Sequence, residues 1–325
     1  MLKLPKSAVL TLSALTLAMS ASVAMAKDSV KSVAVTAIVE HPALDAARDG
    51  ILDALNEAGY SEGKNLKWQY QSAQGNTATA AQIARKFIGD RPDVLVGIAT
   101  PTAQALVAGT KRIPVVFTAV TDPVQAQLTP SWEASGTNVT GVSDLLELGK
   151  QIDLIKEIIP EAKKVGMVYN PGEANSVAVV EAFKKMLPEH GLELVEAAAP
   201  RSVDVRNAAL SLAGKVDVIY TSTDNNVVSA YEALAKVGNE TQTPLIASDT
   251  DSVKRGAIAA MGVDYRDLGQ QTGRMVVRIL NGEKPGDIKP ETSENLQLFI
   301  NTTAAEKQGV MLSEDLLQRA TEIIR

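Results

Sequence analysis

The side chains of this chain that could do chemistry are mostly short and polar, and they are grouped. Thr100 and Thr102, Asp122, residues 173–176 (EANS), residues 223–226 (TDNN) and residues 249–251 (DTD) each follow an apolar run. Hydroxyls, amides and carboxylates in such places suit recognition of a small charged molecule. A zwitterion needs donors for its carboxylate and an acceptor for its ammonium. The free N–H groups of a helix start supply the first, and a loop Asp or Asn supplies the second. Each charge-assisted hydrogen bond contributes about 1.5–3 kcal/mol, so a few of them sustain micromolar binding, about −8 kcal/mol. The same residues also have a plain structural reading. Thr100, Ser176 and Thr223 can be helix N-caps, Asp249 can cap a short helix after it, and Glu173 reads as solvated.

Groups for turnover are scarce. The two histidines, His41 beside Pro42 and His190 near a helix end, have no neighbours at the spacing of a nucleophile triad or a zinc site. No G-x-G-x-x-G, Walker A or H-E-x-x-H pattern occurs, and there is no cysteine. No catalytic residue, cofactor or metal site is therefore expected, and the chain reads as a binding protein rather than an enzyme.

The elements that must carry these clusters come in two similar series. Residues 93–104 (DVLVGIATPTAQ) read as a buried strand, a polar loop and a helix start, with Thr100 able to cap and Pro101 suited to the first turn. Residues 217–228 (DVIYTSTDNNVV) repeat that grammar. A Pro-led strand with an acidic turn follows each copy, IPVVFTAVTDP at 113–123 and TPLIASDTDSV at 243–253. The beginnings match too, KSVAVTAIVEHP from Lys31 and KKVGMVYNPGEA from Lys163. Between these landmarks, helical spacing predicts helices over 43–58, 80–88, 148–159, 176–187, 203–212, 227–237 and 267–280, with a helical tail from Ser313. Strands are predicted at 32–39, 65–72, 165–169, 192–197, 257–262 and 296–300.

Alternating strands and helices predict an α/β fold: two doubly wound parallel-sheet domains joined by a multi-strand hinge. The expected division gives residues 27–141 and 264–290 to domain one and 142–263 and 291–325 to domain two. Residues 137–141 (TNVTG) are the expected first crossing, and Asp264-Tyr265 the second. Ligands of open parallel sheets bind at the carboxyl ends of the strands, where the polar clusters fall.

Bulk properties agree with an exported protein. Residues 1–26 carry Lys3 and Lys6, an apolar run and an Ala24-Met25-Ala26 end, the pattern of a secretory signal peptide cleaved after Ala26. Its removal takes away two of the 32 basic residues and none of the 38 acidic ones, so the mature chain is more acidic than the full chain's −6 and no nucleic-acid partner is expected. Without cysteine there is no disulfide and no thiol for lipid attachment, and a freely diffusing periplasmic monomer is expected.

The segments GIATPTAQAL, VVFTAVTDPV, VTGVSD, GMVYNPGEANS, YTSTDNN, VDYRDLGQQTGRMVVRILNGEKPGDI and LFINTTAAEKQGVML, in this order, resemble the ABC-transporter substrate-binding proteins, in the branch that includes tryptophan-, tyrosine- and phenylalanine-binding members. The likeness spans nearly the whole mature chain. It implies a type I periplasmic-binding-protein fold that closes on an α-amino acid and delivers it to an inner-membrane permease with its ATPase. It also implies that Thr100 and Thr102 lie near the ligand carboxylate and Asp122 in the first-domain wall. Asn175, Ser176, Thr223, Asp224, Asn225 and Asp249 would come from the second domain, with the ammonium on Asp224 or else Asp249. A branched-chain amino acid or another small organic acid is the alternative ligand, and a sensory receptor is the alternative role.

Overall fold

The computed structural model describes residues 30–293 and 295–325; the expected signal segment at 1–26 lies outside them. The first series comprises β1 (Lys31–Ala37), α1 (Pro42–Glu57), β2 (Leu66–Ser72), α2 (Thr77–Asp90), β3 (Val94–Ile98), α3 (Thr100–Gly109), β4 (Val115–Val120) and β5 (Val139–Ser143). The second comprises α4 (Leu148–Ile158), β6 (Lys164–Tyr169), α5 (Ala174–Met186), β7 (Glu193–Ala198), α6 (Val205–Leu212), β8 (Val218–Thr221), α7 (Asn225–Ser229), α8 (Tyr231–Thr241), β9 (Leu245–Asp249), α9 (Thr250–Lys254) and β10 (Ala259–Val263). The chain then adds α10 (Tyr265–Leu280), β11 (Glu291–Thr292), β12 (Leu296–Asn301), α11 (Thr302–Lys307), α12 (Glu314–Arg319) and β13 (Glu322–Ile324).

Two sheets result, ordered β2-β1-β3-β4-β5-β11 and β7-β6-β8-β9-β10-β12-β13. The first five strands of each series take the same order, as the repeated segments lead one to expect. Asp93 and Asp217 act as twins in it. Asp93 Oδ2 accepts from the Ser32 amide at 2.7 Å and hydroxyl at 2.8 Å, and Asp217 Oδ2 accepts from the Lys163 and Lys164 amides at 2.8 Å each. Each aspartate pins the start of the third strand of its series to the start of the first. Pairing is parallel except where β12 runs antiparallel to β10.

Each sheet has its own core. In the second sheet, Tyr220 and Ile246 pack on one face and Ile219 and Ala247 on the other, the period-two alternation of strands covered by helices on both sides. The first sheet is covered in part by α10, which lies against α1. Glycine permits that approach, because a Cβ on Gly269 would stand 2.1 Å from the Ala47 carbonyl oxygen and one on Gly50 2.2 Å from that of Arg266.

Three predictions are corrected here. Residues 137–141 are not the crossing: β5 pairs with β4 and with β11 inside the first sheet, and the chain leaves after Ser143. The helix expected over 227–237 begins at Asn225 and breaks at Ala230, where Arg255 donates to the Val228 carbonyl at 2.6 Å and so replaces a helical partner. The tail does not end as a helix. Residues 322–324 form β13 against β12, a pairing too short to show in hydrophobic periodicity. Among the described residues, no helix is long and apolar enough to cross a membrane.

Candidate functional site

The carboxyl ends of the two sheets face each other across a cleft that the chain passes three times, after β5, after β10 and after β11. The lobes touch there: Thr121 Oγ1, just past β4, is 3.3 Å from Thr223 Oγ1, just past β8. Two adjoining chambers occupy the cleft. The larger, of about 80 Å³, has Thr121, Asp122 and Gln125 on the first lobe, the crossing segment at 144–148, and α5, Tyr220, Thr223 and Ser248 on the second. Leu145, Leu146, Leu148, Ala178, Val179 and Ala182 make most of its wall apolar. The smaller, of about 10 Å³, is bounded by His41, Asp144, Thr223, Asn225, Asp249 and Tyr265. Asp144 and Thr223 belong to both.

Asp144 is 3% exposed and follows directly on β5. Its Oδ2 accepts from the Tyr265 phenol at 2.6 Å, which joins the first crossing to the second, while its Oδ1 has no hydrogen-bond partner among the described residues. Burial pushes the carboxyl above its usual range, offset in part by the Tyr265 phenol and the nearby Thr121 hydroxyl. A buried carboxylate with one unpaired oxygen is an acceptor prepared for a cationic group.

His41 is the N-cap of α1, with Nδ1 accepting from the Leu44 amide at 3.4 Å. That bond leaves the ring proton on Nε2. Burial, reinforced by the positive field of Arg255, lowers its pKa to about 3, so the ring stays neutral at physiological pH and carries one N–H that it can donate.

The residues singled out from sequence divide into two sets. Asp122, Thr223, Asn225 and Asp249 line the chambers. Asp122 also closes the turn after it, accepting from the Val124 and Gln125 amides at 2.9 and 3.0 Å. Asp249 caps α9, taking the Ser252 amide at 2.8 Å and hydroxyl at 2.6 Å. Thr100, Thr102, Asn175, Ser176 and Asp224 line neither chamber. Thr100 is not a cap: that position is Ala99, held at φ 73 and ψ 154, and the buried Thr100 hydroxyl has no partner among the described residues. Thr102 turns its hydroxyl back toward the carbonyls of Ile98, at 2.5 Å, and Ala99, at 3.0 Å.

Asp224 is saturated. Oδ1 accepts from the Asn226 and Val227 amides at 3.0 Å each, and Oδ2 from the Asn170 amide and the Ser176 hydroxyl at 2.6 Å each. Four donors use the four lone-pair directions of a carboxylate. Its work is to cap α7 and tie it to the end of β6 and the start of α5.

Glu173 is not solvated but 5% exposed. Its Oε2 accepts from the Asn225 side chain at 2.6 Å and the Asn175 side chain at 3.1 Å, so Asn175 and Asn225 are held by a buried carboxylate rather than by solvent. Burial, with the negative field of Asp224, raises its pKa from 4.5 to about 7. A raised carboxyl pKa adds stability that is full below the unfolded value and is lost as pH rises through the folded one. The melting temperature is therefore expected to fall between about pH 4.5 and 7 through this group, and Glu173→Gln should flatten that segment of the curve. An unchanged slope in the variant would remove Glu173 as its source.

Sequence reading placed Tyr265 at a crossing but did not offer it, Asp144 or His41 as a site residue. A signal was present, since VTGVSD and VDYRD each put an acid directly behind a buried strand at a crossing.

Known proteins resemble this chain over nearly all of its described length. A family model described as ABC transporter substrate binding protein matches residues 32–324. A tyrosine-binding protein of Clostridioides difficile strain R20291 is 42% identical over 271 residues, 83% of this chain and 79% of that protein. The structure of an ABC domain in complex with L-Trp from Streptococcus pneumoniae superposes with a TM-score of 0.87 at 33% identity, covering 91% of this chain and 100% of that one. The ligand-free, open structure of CD0873, a substrate-binding protein with adhesive properties from Clostridium difficile, superposes with a TM-score of 0.69 at 38% identity, covering 91% and 99%. The present arrangement of lobes thus superposes better on the ligand complex than on the open form, although the open form is nearer in sequence.

Proposed function

We propose, given that this chain belongs to the ABC transporter substrate-binding protein family, that it takes up an aromatic α-amino acid between its lobes and delivers it to a membrane permease driven by an ATPase. The family is one of binding proteins, and the role is transport outside the cytoplasm, not catalysis. The observation that carries the ligand class is the pairing of the two chambers around Asp144. In this reading the ligand ammonium sits on the free Oδ1 of Asp144. The carboxylate is met by the neutral His41 Nε2–H and the Thr223 hydroxyl, and the ring lies in the apolar chamber. The names of the relatives, a tyrosine-binding protein and an L-Trp complex, support the aromatic assignment.

Closure follows from the position of Asp144. A ligand that bonds to it acts on a carboxylate seated in one crossing and held by Tyr265 at the other, so binding favours the arrangement in which both lobes reach the ligand. The permease would read that closed form. The segment at 1–26 supports a periplasmic protein released by cleavage after Ala26, and the reading takes it as a monomer.

The direct test is mass spectrometry of small molecules released on denaturing the purified protein, followed by calorimetric titration of the emptied protein with the twenty amino acids. Release and rebinding of phenylalanine, tyrosine or tryptophan at micromolar affinity or better is expected. Binding confined to aliphatic amino acids or other organic acids would overturn the assignment.

A further inference from the structure

Within the apolar wall of the larger chamber one feature is out of place. Ser248, near the end of β9, is 2% exposed, and its hydroxyl has no hydrogen-bond partner among the described residues. It lines the larger chamber and not the smaller, so it lies apart from the group formed by His41, Asn225 and Asp249. Beside it is Tyr220, from β8, whose phenol lies near the Ser248 hydroxyl and donates to Gln151 Oε1 at 3.4 Å, at the long end of hydrogen bonding. The Tyr220 ring packs on Phe183 with centroids 4.9 Å apart, which fixes where its hydroxyl points. A buried hydroxyl without a partner is costly, and a fold keeps one facing a cavity at little cost when the cavity's occupant completes the bond.

We infer that Ser248, with Tyr220 beside it, reads a hydrogen-bonding group on the ligand's aromatic ring, so that the site prefers a phenol or an indole N–H to a bare phenyl ring. The inference rests on the proposed aromatic amino-acid reading and narrows it. A serine hydroxyl accepts from an indole N–H and either donates to or accepts from a phenol, so it serves both rings. Phenylalanine fills the same apolar space but leaves the Ser248 hydroxyl buried and unbonded. A site built around such a bond discriminates against the analogue that lacks it.

The experiment is titration of the emptied full-length mature protein with tyrosine, tryptophan and phenylalanine, for the wild type and for Ser248→Ala. Whichever of tyrosine and tryptophan binds more tightly is expected to exceed phenylalanine by about tenfold or more in the wild type, and Ser248→Ala is expected to shrink that ratio to about threefold or less. Ser248→Cys, which keeps the side chain but offers only a weak donor, should fall between them and serves if the alanine variant does not fold. Equal wild-type affinities for the three would overturn the inference, as would a ratio that survives in both variants. A parallel loss for all three ligands would assign the hydroxyl to the amino-acid head group and overturn it as well. If none of the three binds the wild type, the aromatic reading itself fails and this inference with it.

Discussion

Asp144→Asn is expected to weaken binding of the amino-acid ligand by about 100-fold while leaving the fold intact. The amide is isosteric, its oxygen can still accept from the Tyr265 phenol, and so the link between the two crossings, 2.6 Å in the native protein, is kept. What disappears is the negative charge behind Oδ1. Truncating one member of a desolvated, hydrogen-bonded charge pair costs about 2–5 kcal/mol, largely because the other charge is left without compensation. The ligand ammonium would be that other charge. Titration should find the loss for every α-amino acid that the wild type binds. An analogue lacking the amino group should lose little, because it never used the carboxylate. The pH dependence gives a second reading. Burial holds the Asp144 pKa above its usual range, so acidification should protonate it and weaken wild-type binding before ordinary carboxylates are neutralised. The asparagine variant should lack that step. An Asn variant with native affinity would move the ammonium elsewhere in the cleft, with Asp249 as the next acceptor along the smaller chamber.

Asp224→Ala is expected to act on stability, and strongly. Four donors converge on this carboxylate: two amides of the first turn of α7, the Asn170 amide and the Ser176 hydroxyl. Loss of an N-cap alone costs about 0.5–2 kcal/mol. Each further donor left unpaired costs about 1–3 kcal/mol when buried, so a total of about 2.5 kcal/mol or more is expected by urea unfolding. Relief of the repulsion between Asp224 and Glu173 offsets part of this and should bring the Glu173 pKa back toward its ordinary value. The falling limb of stability between about pH 4.5 and 7 should shrink along with it. Had Asp224 held the ligand ammonium, the variant would keep its stability and lose only affinity. Near-native stability with selective loss of amino-acid binding would therefore restore Asp224 to the ligand.

The two series of strands and helices could be read from the sequence because their causes are local. The run VLVGI is buried on every residue and could only be an interior strand. Ser313 caps the tail helix where the sequence placed its start, accepting from an amide three residues ahead, and Asn76, Asp264 and Asn301 cap α2, α10 and α11 in the same way at starts that the sequence reading set a few residues late or missed. The match of 93–104 with 217–228 pointed to two copies of one unit; the structure then shows one strand order shared by both sheets, with Asp93 and Asp217 at equivalent joints. Short pieces escaped this reading. β11 and β13, of two and three residues, owe their existence to strands already in place rather than to a pattern of their own.

The roles of individual polar residues were a different matter, since a side chain's chemistry is set by what stands opposite it. Asp224 and Asp144 are the same residue type, and each follows a buried strand. Three neighbouring segments of the second lobe consume every lone pair of the first, whereas the second is held by the Tyr265 phenol, 121 residues away in sequence, and among the described residues keeps one oxygen without a hydrogen bond. Likewise Glu173 is buried because Asn175 and Asn225 fold over it, and Ser248 faces the larger chamber without a partner. The sequence alone determined the architecture and the places where strands end. Only the tertiary structure decided which of the groups at those ends were already satisfied, because hydrogen-bond saturation and desolvation are properties of long-range neighbours.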